Sequence, residues 1–338
     1  MAWTDSRYRA QNPRNQERIF PYLGGEELNT NPTHSHHRYV IHFGEMTEEE
    51  ARKWPDLMRI VEEKVKPERN RQNDRGAKEK WWQFIRARPE LHAAITGLDR
   101  VLAISRVSQY VSFGFLRTPV VPSDGLVVFP FSTCAPFAVL QSRIHEIWAR
   151  FFGSSMKDDL RYTPSDCFET FPLGWESDAR LEAVGREYYD FRAHLMVKNH
   201  QGLTATYNRF HDPEEFDPDI LRLRALHDAM DRAVLSAYGF DDLHPQCTFL
   251  LDYQEEEATA TEAAAPTRDR KKPWRYRFAD ELRDEVLARL LAENSRRAQV
   301  ESETRVQAAI LGESRPKSTQ PRGKKSPPKP PSDQGALF

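Results

Sequence analysis

Apolar positions along the chain change period several times, and each change marks an element. Val40-Ile41-His42-Phe43 predicts a short strand, and Thr47 followed by Glu48, Glu49 and Glu50 predicts a capped helix reaching about Lys64. Within it Ala51, Trp54, Leu57, Met58 and Val61 fall at helical spacing and are expected in the core, with Pro55 kinking or splitting the helix. Strand-like runs follow at Val101 to Val107, Tyr110 to Leu116 and Leu126 to Pro130. Pro136 suits a first helical turn, and Phe137, Leu140, Ile144, Ile147, Trp148 and Phe151 predict one buried stripe on a helix through Arg150. Two further helices are expected at Leu181 to His200 and Pro218 to Tyr238. The second would bury Ile220, Leu221, Leu223, Leu226, Met230, Val234 and Leu235.

Between these helical stretches, Met156 to Tyr162 reads as an extended segment. Alternation then turns Lys157, Asp159 and Arg161 one way and Met156, Leu160 and Tyr162 the other, although Asp158 falls on the apolar side. A Lys donor beside an Asp acceptor matches the edge a G·C pair shows in the major groove, and Arg161 suits a second guanine or a phosphate. The same residues also fit a solvated strand whose charges pair with one another.

Composition narrows the reading. The 338 residues carry 30% charged and 39% hydrophobic side chains with a formal net charge of −2, so any nucleic-acid surface must be a local patch. The richest such patch runs from Lys66 to Arg88, where Arg69, Arg71, Arg75, Lys78 and Lys80 are candidate phosphate contacts, with Arg106 a further one; a solvated helix face is the alternative. Three scattered cysteines suggest neither a disulfide framework nor a zinc site. His34, His36 and His37 lie in a polar loop without a second ligand set, so no metal is expected. No apolar run approaches the roughly 20 residues of a membrane span, and a cytoplasmic protein is expected.

Several separated blocks resemble the C-terminal target-recognition and helical region of MmeI-like type IIG restriction-modification enzymes, adenine-specific DNA methyltransferases fused to endonucleases. They are Phe20-Pro21-Tyr22-Leu23-Gly24-Gly25-Glu26-Glu27-Leu28-Asn29, Lys80-Trp81-Trp82-Gln83-Phe84, Val101 to Ser108, Phe137 to Pro172 and Gly202 to Pro213, covering Asn15 to Tyr253. The resemblance implies an α+β fold, in which a mixed β-sheet target-recognition domain with packed helices precedes a helical C-terminal part and a disordered tail. The expected organisation is an irregular segment 1–14, a recognition domain 15–175, a helical domain 176–254, a linker 255–275, an amphipathic helix 276–311 and a basic tail 312–338.

In that family the two alternating positions before Leu-Arg-Tyr read a base pair, and here they are Lys157 and Asp159. The resemblance implies double-stranded DNA and the methyltransferase and nuclease part of the same system as partners. A glycine-rich donor loop and an Asn/Asp-Pro-Pro-Tyr/Phe segment are both missing, because Ser326-Pro327-Pro328 is followed by Lys329. Pro55-Asp56 with Glu62-Glu63-Lys64 imitates a nuclease motif, but on one helix. No catalytic residue or cofactor is therefore expected in this chain, and S-adenosylmethionine and Mg²⁺ belong to the missing catalytic parts. The alternative is a protein-binding adaptor acting through the 276–311 helix, or a non-functional fragment of such an enzyme.

Overall fold

The structure, a computed structural model, describes residues 12–156, 159–173, 178–251 and 273–310. The fold is α+β, with several small sheets surrounded by helices. Compact units divide between Asn294 and Ser295. In the first, β1 (Ile19–Leu23) lies between antiparallel β2 (Arg38–Ile41) and parallel β6 (Val121–Pro122). A second sheet centres on β3 (Arg100–Ser105), flanked by antiparallel β5 (Phe113–Arg117) and β7 (Leu126–Phe129). The third sheet orders β4 (Val107–Ser108), β9 (Asp159–Arg161) and β8 (Ser154–Met156). A hairpin of β10 (Cys247–Leu251) and β11 (Trp274–Phe278) completes the strands among the described residues.

The main core draws side chains from Leu23 to Leu290, and the helix Ala179–Asn199 packs across both Cys134–Gln141 and Pro218–Ala237. A smaller apolar cluster gathers Ile19, Phe43, Ala51, Trp54, Leu57, Met58, Ile60, Val61 and Trp81. All five residues expected in that core from the Ala51 to Val61 pattern are buried. Thr47 forms the capping box with Glu50, and Pro55 splits the expected helix into Glu48–Ala51 and Pro55–Lys64.

Several expectations are corrected. The helix through Arg150 is two helices, Cys134–Gln141 and Arg143–Phe152, because Ser142 leaves helical geometry and caps the second through His145 N–H. Ile144, Ile147 and Trp148 keep the stripe buried, but Phe151, in the last turn of the second helix, is 57% exposed. Leu221 is likewise exposed, while its six companions on the helix Pro218–Ala237 are buried. The Gly202 to Pro213 connection contains a helix of its own, Leu203–Phe210.

Tyr276 belongs to β11, and the last helix starts at Asp280, where the chain leaves its pairing with β10. Its Val286 and Leu290 are fully buried in the main core, so these apolar positions are already used within the chain. Described by itself, the second unit continues as helix from Ser295 to Ile310. The expected segment 1–14 lies mostly outside the described residues, as do the 255–270 stretch and the 312–338 tail. No helix among the described residues is long and apolar enough to cross a membrane.

Candidate nucleic-acid interface

The three-stranded sheet β4-β9-β8 grows directly out of the helix Arg143–Phe152. Gly153 makes the exit possible: a Cβ there would stand 2.4 Å from the Ala149 carbonyl oxygen and 2.7 Å from Leu160 Cδ1, closer than atoms pack. The strand therefore folds back over the last turn of the helix. Leu160 is buried, and Tyr162, 1% exposed, joins its hydroxyl to His145 Nε2 at 2.9 Å. Burial pushes His145 down to about 3 and raises the Tyr162 phenol, so both groups stay neutral at physiological pH. Phe113 and Phe171 close around this pair with edge-on ring contacts.

Alternation leaves Asp159 half-buried and Arg161 exposed on the other face of β9. Arg161 stands opposite Ser154 on one side and Val107 on the other, and direct partners in antiparallel strands share a face. The single extended segment expected from Met156 to Tyr162 is not formed. Met156 pairs with Asp159, so the chain reverses between them, and straight alternation holds only from Asp159 onward. Lys157 lies outside the described residues.

Arg106 is brought to the same place. Its carbonyl accepts from Tyr162 N–H at 2.8 Å, its own N–H donates to Gly125, and its Nε donates to the Asp124 carbonyl at 2.9 Å. The far side of β4 is anchored by Tyr110, which donates to Asn208 Oδ1 at 2.8 Å and stacks on His211 at 5.0 Å. The polar block Tyr207 to Asp212 thus fixes the sheet to the helices. Arg224 reinforces it by donating to the Arg209, Phe210 and Asp212 carbonyls.

The other sequence-chosen cations sit elsewhere. Arg69 and Arg71 belong to the helix Lys66–Arg71, and Arg75 and Lys78 to Arg75–Glu79, with Lys80 at its end. These helices pack beside the smaller core. Arg69 is half-buried, its Nη2 reaching the Gln83 carbonyl at 3.4 Å. Arg75 pairs with Glu79 at 2.7 Å, and Arg71, Lys78 and Lys80 are exposed. Phe151, expected in the buried stripe, and Phe152, not singled out from the sequence, are two exposed rings in edge-on contact where the helix enters β8.

Among the described residues, one group of side chains has metal-ligand spacing: Asp228, Asp231 and Cys247. A guanidinium already fills it. Arg143 Nη1 donates to Asp228 at 2.9 Å and to Asp231 at 2.6 Å, and Tyr276 donates to Asp228 at 3.0 Å. The positive charge holds the Asp231 carboxyl below its usual range despite complete burial. The group is a buried ion-pair network, with the charge a metal would bring already supplied. His34, from the histidine loop, is buried alone with Nδ1 donating to the Leu28 carbonyl at 2.8 Å. Asp56, Glu62, Glu63 and Lys64 all lie on Pro55–Lys64, where Glu62 is taken by Lys66 at 2.7 Å.

The family model described as the MmeI target recognition domain matches residues 3–174. Among solved structures the type IIL restriction-modification enzyme MmeI, determined in complex with DNA, is similar with a TM-score of 0.53 at 21% identity, over 71% of this chain and 31% of that one. At that identity the likeness is one of fold, and this chain spans under a third of the enzyme's length. No curated protein matches. The family match covers half of the sequence, including all three strands of the Arg161 sheet, and on it the chain belongs to the MmeI target recognition domain family.

Proposed function

We propose that this chain recognises DNA sequence as the target-recognition part of an MmeI-like restriction-modification adenine methyltransferase. The observation that carries the reading is Arg161 exposed and Asp159 half-exposed on one face of a short sheet, inside the segment the family model matches, with Leu160 and Tyr162 buried behind them. A reading edge needs that combination, because base contacts discriminate only if the side chains are held in place.

In this reading Lys157 and Asp159 address one base pair and Arg161 an adjacent base or phosphate. Arg106, beside β9, and the cations from Arg69 to Lys80 contact phosphates and fix the register. Residues 15–175 act as the recognition part and 176–254 as its helical support. Methyl transfer and cleavage, with S-adenosylmethionine and Mg²⁺, are assigned to a partner methyltransferase and nuclease part acting on the same duplex.

The test joins this chain to a competent methyltransferase part and maps methylated sites. Lys157→Glu combined with Asp159→Arg reverses donor and acceptor and changes one recognised pair from G·C to C·G, with discrimination of about 1–3 kcal/mol. Unchanged preference at every position removes these residues from the edge. DNA affinity that does not fall with rising salt, or no DNA binding even with the partner present, sinks the recognition role itself.

A further inference from the structure

A cleft of about 1250 Å³ opens on a different part of the first unit, between β1, the loop around His34, the end of β5 and the helix Ala179–Asn199. Its lining is electrically lopsided. Arg100, Arg117, Arg186 and Arg192 contribute to it, against the carboxylate of Asp99. Arg186 is answered by Glu182 through a close ion pair. The other three have no carboxylate partner among the described residues.

Arg192 is 1% exposed, which makes it a buried cation without a counterion. Its partners are neutral: Gln141 Oε1 and the Tyr207 hydroxyl at 3.1 Å, the Phe113 carbonyl at 2.5 Å, and the ring faces of Phe137, Tyr188 and Tyr189. Its Nε has no hydrogen-bond partner. Carbonyl dipoles and ring faces offset part of the desolvation cost and leave a positive potential behind the cleft wall.

Arg100 and Arg117 supply a second, independent sign. They are direct cross-strand partners of β3 and β5, an arrangement in which like charges repel. Arg100 is half-buried, donating to the Ser132 carbonyl at 2.8 Å and lying 3.9 Å above the Phe115 ring, while Arg117 is exposed. Two opposed guanidinium groups facing one cleft above a buried third are the setting an anion relieves, and planar forks suit phosphate oxygens in particular. The volume exceeds the roughly 300–1,000 Å³ typical of small-molecule sites, so there is room for more than a bare oxyanion. Tyr189 and Phe115 add aromatic surface on the same wall.

We infer that this cleft is a binding site for a phosphate-bearing anion of the nucleotide class. The inference stands on the charge and shape of the cleft and does not depend on the base-reading role of Asp159 and Arg161. Phosphate of this kind comes from a free nucleotide or from a DNA strand, and the experiment separates the two.

The full chain is titrated at low salt with inorganic phosphate, pyrophosphate and ATP, following thermal unfolding and binding heat. Pyrophosphate and ATP should raise the unfolding temperature of the wild type, an effect that fades with salt. Arg117→Glu should weaken binding by roughly tenfold or more, as expected when a charge-assisted hydrogen bond is removed. Because Arg117→Ala relieves the Arg100 repulsion, the unliganded variant should unfold no earlier than wild type while losing stabilisation by ATP, which separates a lost site from a damaged fold. Displacement of ATP by a short duplex assigns the site to DNA phosphate, and no displacement assigns it to a free nucleotide. Absence of stabilisation by all three probes, or equal stabilisation of Arg117→Glu, overturns the inference.

Discussion

The β4-β9-β8 sheet and the basic helices between Lys66 and Glu79 present the same kinds of side chain in opposite settings. Arg161 rides on a strand whose alternate residue, Leu160, is buried in the main core and whose next residue, Tyr162, is tied to a buried histidine. Arg75 and Lys78 ride on a short helix that buries only Ala77, and Arg75 is occupied by Glu79 one turn away. Base discrimination needs a donor held in one place, whereas phosphate attraction needs only charge within about a Debye length. On the proposed reading, specificity belongs to the sheet and, at most, affinity to the helices.

Removing the backing of each region breaks the comparison most directly. Leu160→Ala should cost about 2–5 kcal/mol and abolish sequence preference along with it, whereas Met58→Ala, at similar cost in the smaller core, should leave the preference intact. Calorimetric unfolding paired with methylation-site mapping checks both. If Met58→Ala also scrambles preference, the two regions are not separable.

Acid probes both regions at once. Burial holds His145, behind the sheet, down to about 3, and His42, in the other region, down to about 4. These depressed imidazoles remain unprotonated in the folded chain while the unfolded chain takes up protons from about pH 6.5 downward. Stability is therefore complete above that pH and is lost progressively as pH falls toward 3. For His145 alone the loss is on the order of 2 kcal/mol by pH 5. Unfolding temperatures recorded at pH 7, 6 and 5 should fall in that order, and a flat profile contradicts the neutral His145–Tyr162 backing.

The smallest effect belongs to the exposed cations. Lys78→Ala with Lys80→Ala should leave stability within about 0.5 kcal/mol of wild type and leave the preferred sequence unchanged. The slope of log affinity against log salt becomes shallower by roughly 0.9 for each phosphate that the variant no longer neutralises. A shift in sequence preference would place these lysines at base edges and reverse the assignment.

Much of this architecture was legible from local pattern. Apolar spacing located the helices on either side of Leu203–Phe210, though not that helix itself; Thr47 and Glu50 announced a helix start, and Pro55 announced the break after it. Those features depend on neighbours within one or two turns, which periodicity and capping chemistry encode directly. The alternation at Leu160 and Tyr162 likewise identified the buried face of β9.

Only the tertiary structure decided the rest. The chain reverses between Met156 and Asp159 as β8 pairs with β9, and β9 then takes β4, some fifty residues earlier in the chain, as its second neighbour, which no alternation rule contains. Phe151, on the same face as Ile144, Ile147 and Trp148, is left exposed at the end of its helix, and Arg143 found Asp231 from another helix. Arg100, Arg117 and Arg192 form a cleft because two strands and a distant helix meet there. Local sequence carries propensity and periodicity, but the burial of a charge or the facing of two side chains is set by which distant segments pack together.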